Sequence, residues 1–156
     1  MRAVSHFEPK DPAFETRIRE SFGRQKVMGL IGATLAGVTA GRVEIALPFR
    51  DDLTQQHGFF HAGIVGTIAD SAGGFAAYTL MPAGSSVLSV EYKINLMAPA
   101  DGERLLASGQ VVRPGRTLTV CDLEVVVFKS GVATVCARGM QTLICLDRGP
   151  RGAAAG

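Results

Sequence analysis

Residues 61–79 read HAGIVGTIADSAGGFAAYT, and this stretch decides the fold. Ile64, Val65, Ile68, Ala72 and Phe75 recur at helical spacing and form one apolar face. The spacing predicts a long helix from about His61 to about Thr79, closed by Pro82 and Gly84. As a helix it is intrinsically poor. Gly63, Gly66, Gly73 and Gly74 each cost ~1 kcal/mol relative to alanine, so packing has to offset the loss. Gly63, Gly66, Asp70, Gly73 and Ala77 follow at spacings of three and four, so they share a second face made almost entirely of small residues. Such a face permits close approach by a sheet, a partner chain or a ligand.

On either side of this helix the pattern changes. Upstream, Asp11-Pro12 reads as a helix start, with Asp11 as N-cap and Pro12 at the first helical position. Phe14, Ile18 and Phe22 continue it as one stripe, giving an N-terminal helix over about 12–24. Ala33–Thr39 and Arg42–Leu47 read as a hairpin around Ala40-Gly41. Thr54–Phe60 is a loop. Downstream the rest is strands. Leu88, Val90, Tyr92, Ile94 and Leu96 alternate with Ser89, Glu91, Lys93 and Asn95, the cleanest period of two in the chain. Arg104–Val112, Thr117–Phe128 and Ala133–Leu146 follow, joined by tight turns at Arg113-Pro114-Gly115-Arg116 and Lys129-Ser130-Gly131. Short connections imply antiparallel pairing, and an antiparallel sheet with one apolar face needs a helix to cover it. The expectation is a single α+β domain over 1–146, its sheet wrapped around one central helix, with a disordered Gly/Ala/Arg-rich tail at 147–156.

Composition narrows the function classes. With 47% hydrophobic and 19% charged residues, the 156-residue chain can build a core. A net charge of +2 argues for neither a nucleic-acid nor a membrane footprint, and the absence of Trp speaks against base-stacking surfaces. Cys121, Cys136 and Cys145 all fall in apolar strands and form no CxxC pair, so they read as buried thiols acting as small hydrophobes in a reducing compartment. Residues Met1 to Asp11 carry no apolar signal-peptide region, and no run approaches the ~20 apolar residues of a membrane span. Cytoplasmic localisation is the expectation.

Chemistry centres on the long helix. Asp70 sits mid-helix among small residues, either as a solvated or hydrogen-bonded carboxylate or as a general base or nucleophile. The helix N-terminus, entered through Gln55-Gln56-His57-Gly58-Phe59-Phe60-His61-Ala62-Gly63, supplies backbone N–H groups that can polarise a carbonyl and hold an oxyanion. Ala62 and Asp70 lie about 12 Å apart along the axis at ~1.5 Å per residue. One small carbonyl cannot touch both in one chain. If both are catalytic, the protein is at least a dimer with two symmetry-related sites. His57 and His61 stand i, i+4, but Gly58 occupies the place of a metalloprotease glutamate and the pair straddles a loop, so a role at the helix entry fits better than a metal site. No G-x-S-x-G nucleophile motif is present.

Three segments in order carry a family likeness over roughly Gly29 to Leu146. They are His61-Ala62-Gly63 followed by Asp70, the strand Ser89-Val90-Glu91-Tyr92-Lys93-Ile94-Asn95 with Pro99-Ala100, and Pro114-Gly115-Arg116-Thr117. Together they resemble the hotdog-fold acyl-CoA thioesterases of the phenylacetic-acid-degradation (PaaI-like) type. The resemblance implies a homodimer, commonly a homotetramer as a pair of dimers, that hydrolyses acyl-CoA without a metal or redox cofactor. It implies Asp70 as base or nucleophile, the Ala62 N–H on the thioester carbonyl, His61 and Gly63 beside it, Gln55 orienting water or carbonyl, and Ser89 near the attacking water. Asp70 would come from the other chain. The family's glycine is Ala62 here, which keeps the N–H but adds a methyl group and disfavours positive φ. Arg113, Arg116 and Lys93 are candidate contacts for the phosphates of CoA, or simply solvated charges. Phe59 and Phe60 either wall an acyl pocket or pack the core.

Two rival readings share the fold. A hotdog hydratase or dehydratase would pair a loop histidine with the helix carboxylate, here His57 with Asp70, but the proline-rich lead-in of fatty-acid dehydratases is missing. A non-catalytic acyl-CoA sensor would need an output module, and the single helix before the sheet is too little for a helix-turn-helix.

Overall fold

The computed structural model describes residues 6–147. The elements are α1 (Phe14–Arg24), α2 (Lys26–Ile31), β1 (Thr34–Thr39), β2 (Arg42–Pro48), α3 (Ala62–Tyr78), β3 (Ser85–Leu96), β4 (Arg104–Arg113), β5 (Leu118–Lys129) and β6 (Val132–Asp147), with a 3-10 turn at Asp51–Leu53. The six strands form one antiparallel sheet in the order β1-β2-β4-β5-β6-β3. The expected tail lies outside the described residues from 148 onward, and Asp147 is the last residue of β6 rather than part of that tail.

The sheet wraps α3. Val65, Ile68 and Phe75 of the helix meet Val43, Ile45 and Leu47 of β2, Leu105 of β4 and Leu123 and Val125 of β5 in one buried core. Each large aliphatic or aromatic side chain so buried contributes about 1.5–3 kcal/mol, which outweighs the poor propensity of the glycine-rich helix. The small-residue face has a direct use. A Cβ on Gly109 of β4 would collide with the backbone of Ala72 and Gly73, so helix and sheet approach to backbone contact at this point. The β5–β6 hairpin turns at Ser130 (φ 50°) and Gly131 (φ 79°), the two positive φ angles that a type I′ turn requires.

Three expectations are corrected. First, α1 begins at Phe14, because Asp11 closes a tighter turn, its carboxylate accepting from Ala13 N–H at 2.9 Å and its carbonyl from Phe14 N–H. A second short helix, α2, follows after an extended residue, Gln25, and ends at Gly32 in the left-handed conformation. Second, the clean alternation of β3 does not map onto two faces. A bulge at Val90 reverses the phase, so Val87 and Ser89 face α3 before it and Tyr92 and Ile94 face α3 after it. Leu88, Val90 and Leu96 are left more than half exposed. Third, Cys121 and Cys136 are buried as expected, but Cys145 is only partly covered, near the end of β6.

Arg17 ties α1 to the far end of the central helix. Its guanidinium donates to the carbonyls of Tyr78, Met81 and Pro82 at 2.7–3.1 Å, lies over the Tyr78 ring and pairs with Asp11 at 3.3 Å. A cation on the free carbonyls of a helix C-terminus satisfies them and complements the dipole.

Candidate active site

Two centres lie on α3. The first is its N-terminus. His61 is the N-cap, and its Nδ1 accepts from Gly63 N–H at 2.8 Å, which requires that nitrogen to carry no proton. Ile64 and Val65 both donate to the His61 carbonyl. The exposed Ala62 N–H is left with no acceptor among the described residues. Gly63 leaves room for the His61 ring, since a Cβ there would lie 3.0 Å from its Nδ1. Ala62 is helical and has no positive φ, so the methyl group that replaces the family's glycine sits without backbone strain. His61 and Gly63 thus shape this turn, and neither is drawn into a metal cluster among the described residues.

A cavity of about 420 Å³ opens beside the free amide, lined by Gln55, Phe59, Phe60, Ala62, Val65 and Leu96 among others. Its size and apolar walls suit a small-molecule group. His57 N–H donates to Gln55 Oε1 within the turn closed by Gln55 and Phe59. That bond occupies the carbonyl end of the Gln55 side chain and leaves its amide hydrogens available to the cavity. Phe60 both walls the cavity and packs inward, edge-on to Phe49 at 5.6 Å.

The second centre is Asp70. Ser89 Oγ donates to Asp70 Oδ1 at 2.6 Å, and Gln141 Nε2 donates to the same oxygen at 2.6 Å. Gln141 also donates to Ser89 Oγ at 2.9 Å. Gln141, fully buried on β6, is a member of this centre that the sequence reading missed. A small cavity of about 90 Å³ flanks the carboxylate, walled by Ser71, Gly74, Phe75 and Val87 and by Gln25 from the α1–α2 junction. Ser71 Oγ donates to Gln25 Oε1 at 3.0 Å and holds that junction over the site.

The chain matches the thioesterase superfamily over residues 57–134, which is half its length and includes the whole of α3 with Ala62 and Asp70. This chain belongs to the thioesterase superfamily. A thioesterase family protein from Silicibacter pomeroyi is 46% identical with a TM-score of 0.85, the match covering 86% of this chain and 98% of that one. The Escherichia coli PaaI protein from the phenylacetic acid degradation operon has the same fold at 17% identity, TM-score 0.76, covering 91% and 95%. A Halobacterium salinarum protein provisionally named an esterase is 29% identical over 105 residues, 64% of this chain and 69% of that one. The architecture is therefore the hotdog fold, the likeness is to PaaI-like thioesterases, and the protein is a hydrolase of the thioesterase class.

The basic residues singled out for CoA are not gathered at either centre. Lys93 lies across from the exposed Met140 on the outer face of the sheet, its ammonium bonded to Asn95 Oδ1 at 2.9 Å. Arg113 ends β4 and is exposed, and Arg116, in the β4–β5 turn, lines a separate cavity of about 370 Å³ with Phe7, Lys10 and Met81. No helix among the described residues is long and apolar enough to cross a membrane.

Burial pushes the Cys121 thiol up to about 12, with the charge of Asp122 adding to the effect, and burial also raises that of Cys136. Neither is a nucleophile at neutral pH.

Proposed function

We propose that the protein hydrolyses an acyl-CoA thioester to free acid and CoA, in sites that two copies of the chain build together. The observation that carries this reading is the pairing of an unengaged amide at the mouth of an apolar cavity with a held carboxylate two turns further along the same helix. They stand ~12 Å apart along the axis, so a second α3 running the other way is needed to bring a carboxylate to each amide. The long β3 supports such a pairing. It is a 12-residue edge strand bonded on one side only, to β6, and it exposes Leu88, Val90 and Leu96. An edge of this kind is a template for another copy. A homotetramer formed from two such dimers remains part of the proposal, with the exposed Leu118 and Met140 on the outer sheet face as its support.

In this reading the thioester carbonyl oxygen accepts from the Ala62 N–H, with the Gln55 side-chain amide beside it, and the acyl group or the pantetheine arm enters the larger cavity. Asp70 of the second copy removes a proton from water as the water oxygen bonds to the carbonyl carbon. Negative charge moves to the oxygen held by the helix N-terminus. Collapse of this intermediate breaks the C–S bond, and the thiolate leaves with the bonding pair and recovers the proton from Asp70. Direct attack by the carboxylate, through a mixed anhydride that water then opens, uses the same geometry. Ser89 donates to Asp70 and keeps a lone pair for the attacking water. Arg113 and Arg116 are the proposed contacts for CoA phosphates. Lys93 is the weaker candidate, because Asn95 already engages it. CoA enters as part of the substrate, and no separate cofactor is required. Three unpaired cysteines fit a reducing compartment such as the cytoplasm.

The test is thiol release from a panel of aromatic and aliphatic acyl-CoAs, wild type beside Asp70→Asn. Turnover of at least one thioester, falling at least ~10³-fold in the variant while the protein stays folded, is expected. Turnover that survives the substitution would remove Asp70 from the chemistry, and release from no thioester would overturn the reading itself.

A further inference from the structure

A carboxylate that acts as base or nucleophile reacts through one oxygen, and something has to settle which. Gln141 sits on the inner face of β6, opposite Tyr92 of β3 and Cys121 of β5, and is wholly buried. Its amide has one sensible orientation. An ionised carboxylate only accepts, so the –NH₂ end faces Asp70, and its two hydrogens go to Asp70 Oδ1 and Ser89 Oγ. The Asp70 carbonyl lies further off, at 3.3 Å. Because Ser89 accepts from Gln141, its own proton is directed to Asp70. Two donors thus converge on Oδ1, and no donor among the described residues reaches Oδ2.

The cost of this arrangement points to function rather than stability. The other end of the amide, Oε1, is buried and has no hydrogen-bond partner among the described residues. A buried polar atom left unpaired is destabilising, and an apolar side chain of similar shape would avoid it. The space for Oε1 is also specific. A Cβ on Gly73 would collide with it and come within 2.6 Å of a Leu123 methyl. Helix α3 therefore carries glycine where Gln141 must enter, and Asp70 three residues earlier where Gln141 must donate.

We infer that Gln141 is the positioning residue of the hydrolysis, fixing Oδ1 of Asp70 together with Ser89 so that Oδ2 is the oxygen that meets water or the thioester. The inference rests on the thioesterase reading above. It is tested with Gln141→Leu, assayed on the best substrate of wild type for kcat, KM and melting temperature. A merely structural glutamine would show its loss in stability. The positioning role predicts a kcat lower by about 10–100-fold, of the order that a misplaced catalytic group costs, with KM within about twofold. The melting temperature is expected within about 4 °C of that of wild type, since loss of the bonds to Asp70 Oδ1 and Ser89 Oγ is offset by removal of the unpaired Oε1. Gln141→Met, unbranched and of equal length, repeats the measurement if the leucine variant does not fold. An unchanged kcat, a change confined to KM, a melting temperature that falls well beyond that range along with kcat, or failure of both variants to fold each overturns the positioning role. Failure of the thioesterase reading is seen separately, in proteins with Gln141 intact, as no turnover by wild type or full turnover by Asp70→Asn, and either result takes this inference with it.

Discussion

The first and third turns of α3 carry the two halves of the proposed site, and they are built by opposite means. The first turn offers backbone. Its Ala62 N–H is exposed, its neighbours are satisfied by the His61 ring and carbonyl, and the side chain at position 62 takes no part. The third turn offers a side chain, Asp70, whose holding oxygen is fixed by residues 19 and 71 positions away. The amide half makes little demand on its own side chain, since residue 62 has no positive φ, whereas the carboxylate half depends on tertiary register and on glycine at position 73. A group that the backbone provides survives substitution of its own residue. A group held by distant side chains does not survive substitution of theirs.

The comparison can be broken from either side. The largest expected effect is that of Asp70→Asn described above. Next is Ala62→Pro, which deletes the N–H without touching any other group. Proline is accepted at the first helical position, and His61, at φ −62° and ψ 139°, already has the extended conformation that a residue before proline needs. Melting close to wild type is expected, with kcat lower by ~10²–10³-fold, the usual value of one oxyanion donor. Mixing the two defective chains sharpens the point. In a mixed dimer one site regains both an intact Ala62 and an intact Asp70, so refolding the two together should restore about a quarter of wild-type activity if pairing is statistical. No recovery would mean that amide and carboxylate do not cooperate across chains. Smaller again is His61→Ala. Loss of an N-cap costs ~1 kcal/mol, seen as a melting temperature about 2–4 °C lower, with activity changed only a few-fold because the Ala62 N–H remains. The smallest effect is chemical. At pH 8 a thiol reagent should label Cys145 alone in the folded protein and all three cysteines after denaturation. Raised thiol pKa values keep Cys121 and Cys136 protonated, and burial keeps them covered. Rapid labelling of all three in the folded state would contradict the packing of β5 and β6.

What was legible in the sequence follows the same division. The helix, its entry through His61, the free amide at Ala62 and the isolation of Asp70 are local properties, set by spacing along one element, and they were readable. The strands and their turns were readable for the same reason. Gln141 was not, because nothing in its own neighbourhood distinguishes a buried glutamine from an outward-facing one until the register of β6 against β3 and β5 is known. Ser89 was named only through the family resemblance, since its strand alternates so cleanly that by pattern alone the apolar residues own the inner face. The α1–α2 junction was hidden as well. Gln25 meets Ser71, the neighbour of Asp70, across 46 residues of sequence, and Arg17 ties the same α1 to the opposite end of α3 across 61 or more.

The bulge at Val90 gives β3 a property that ordinary strands lack. A strand with unbroken alternation can trade one apolar residue for another and can even slide by two without changing which side chains it presents. Here the strand counts one way before Val90 and the other way after it, so Ser89 and Tyr92 address the same helix across an interval of three. Without the extra residue in the pairing, a spacing of three would send either the serine or the tyrosine to the opposite side, although the hydropathy of the segment would be the same. Length, more than composition, is what this strand encodes.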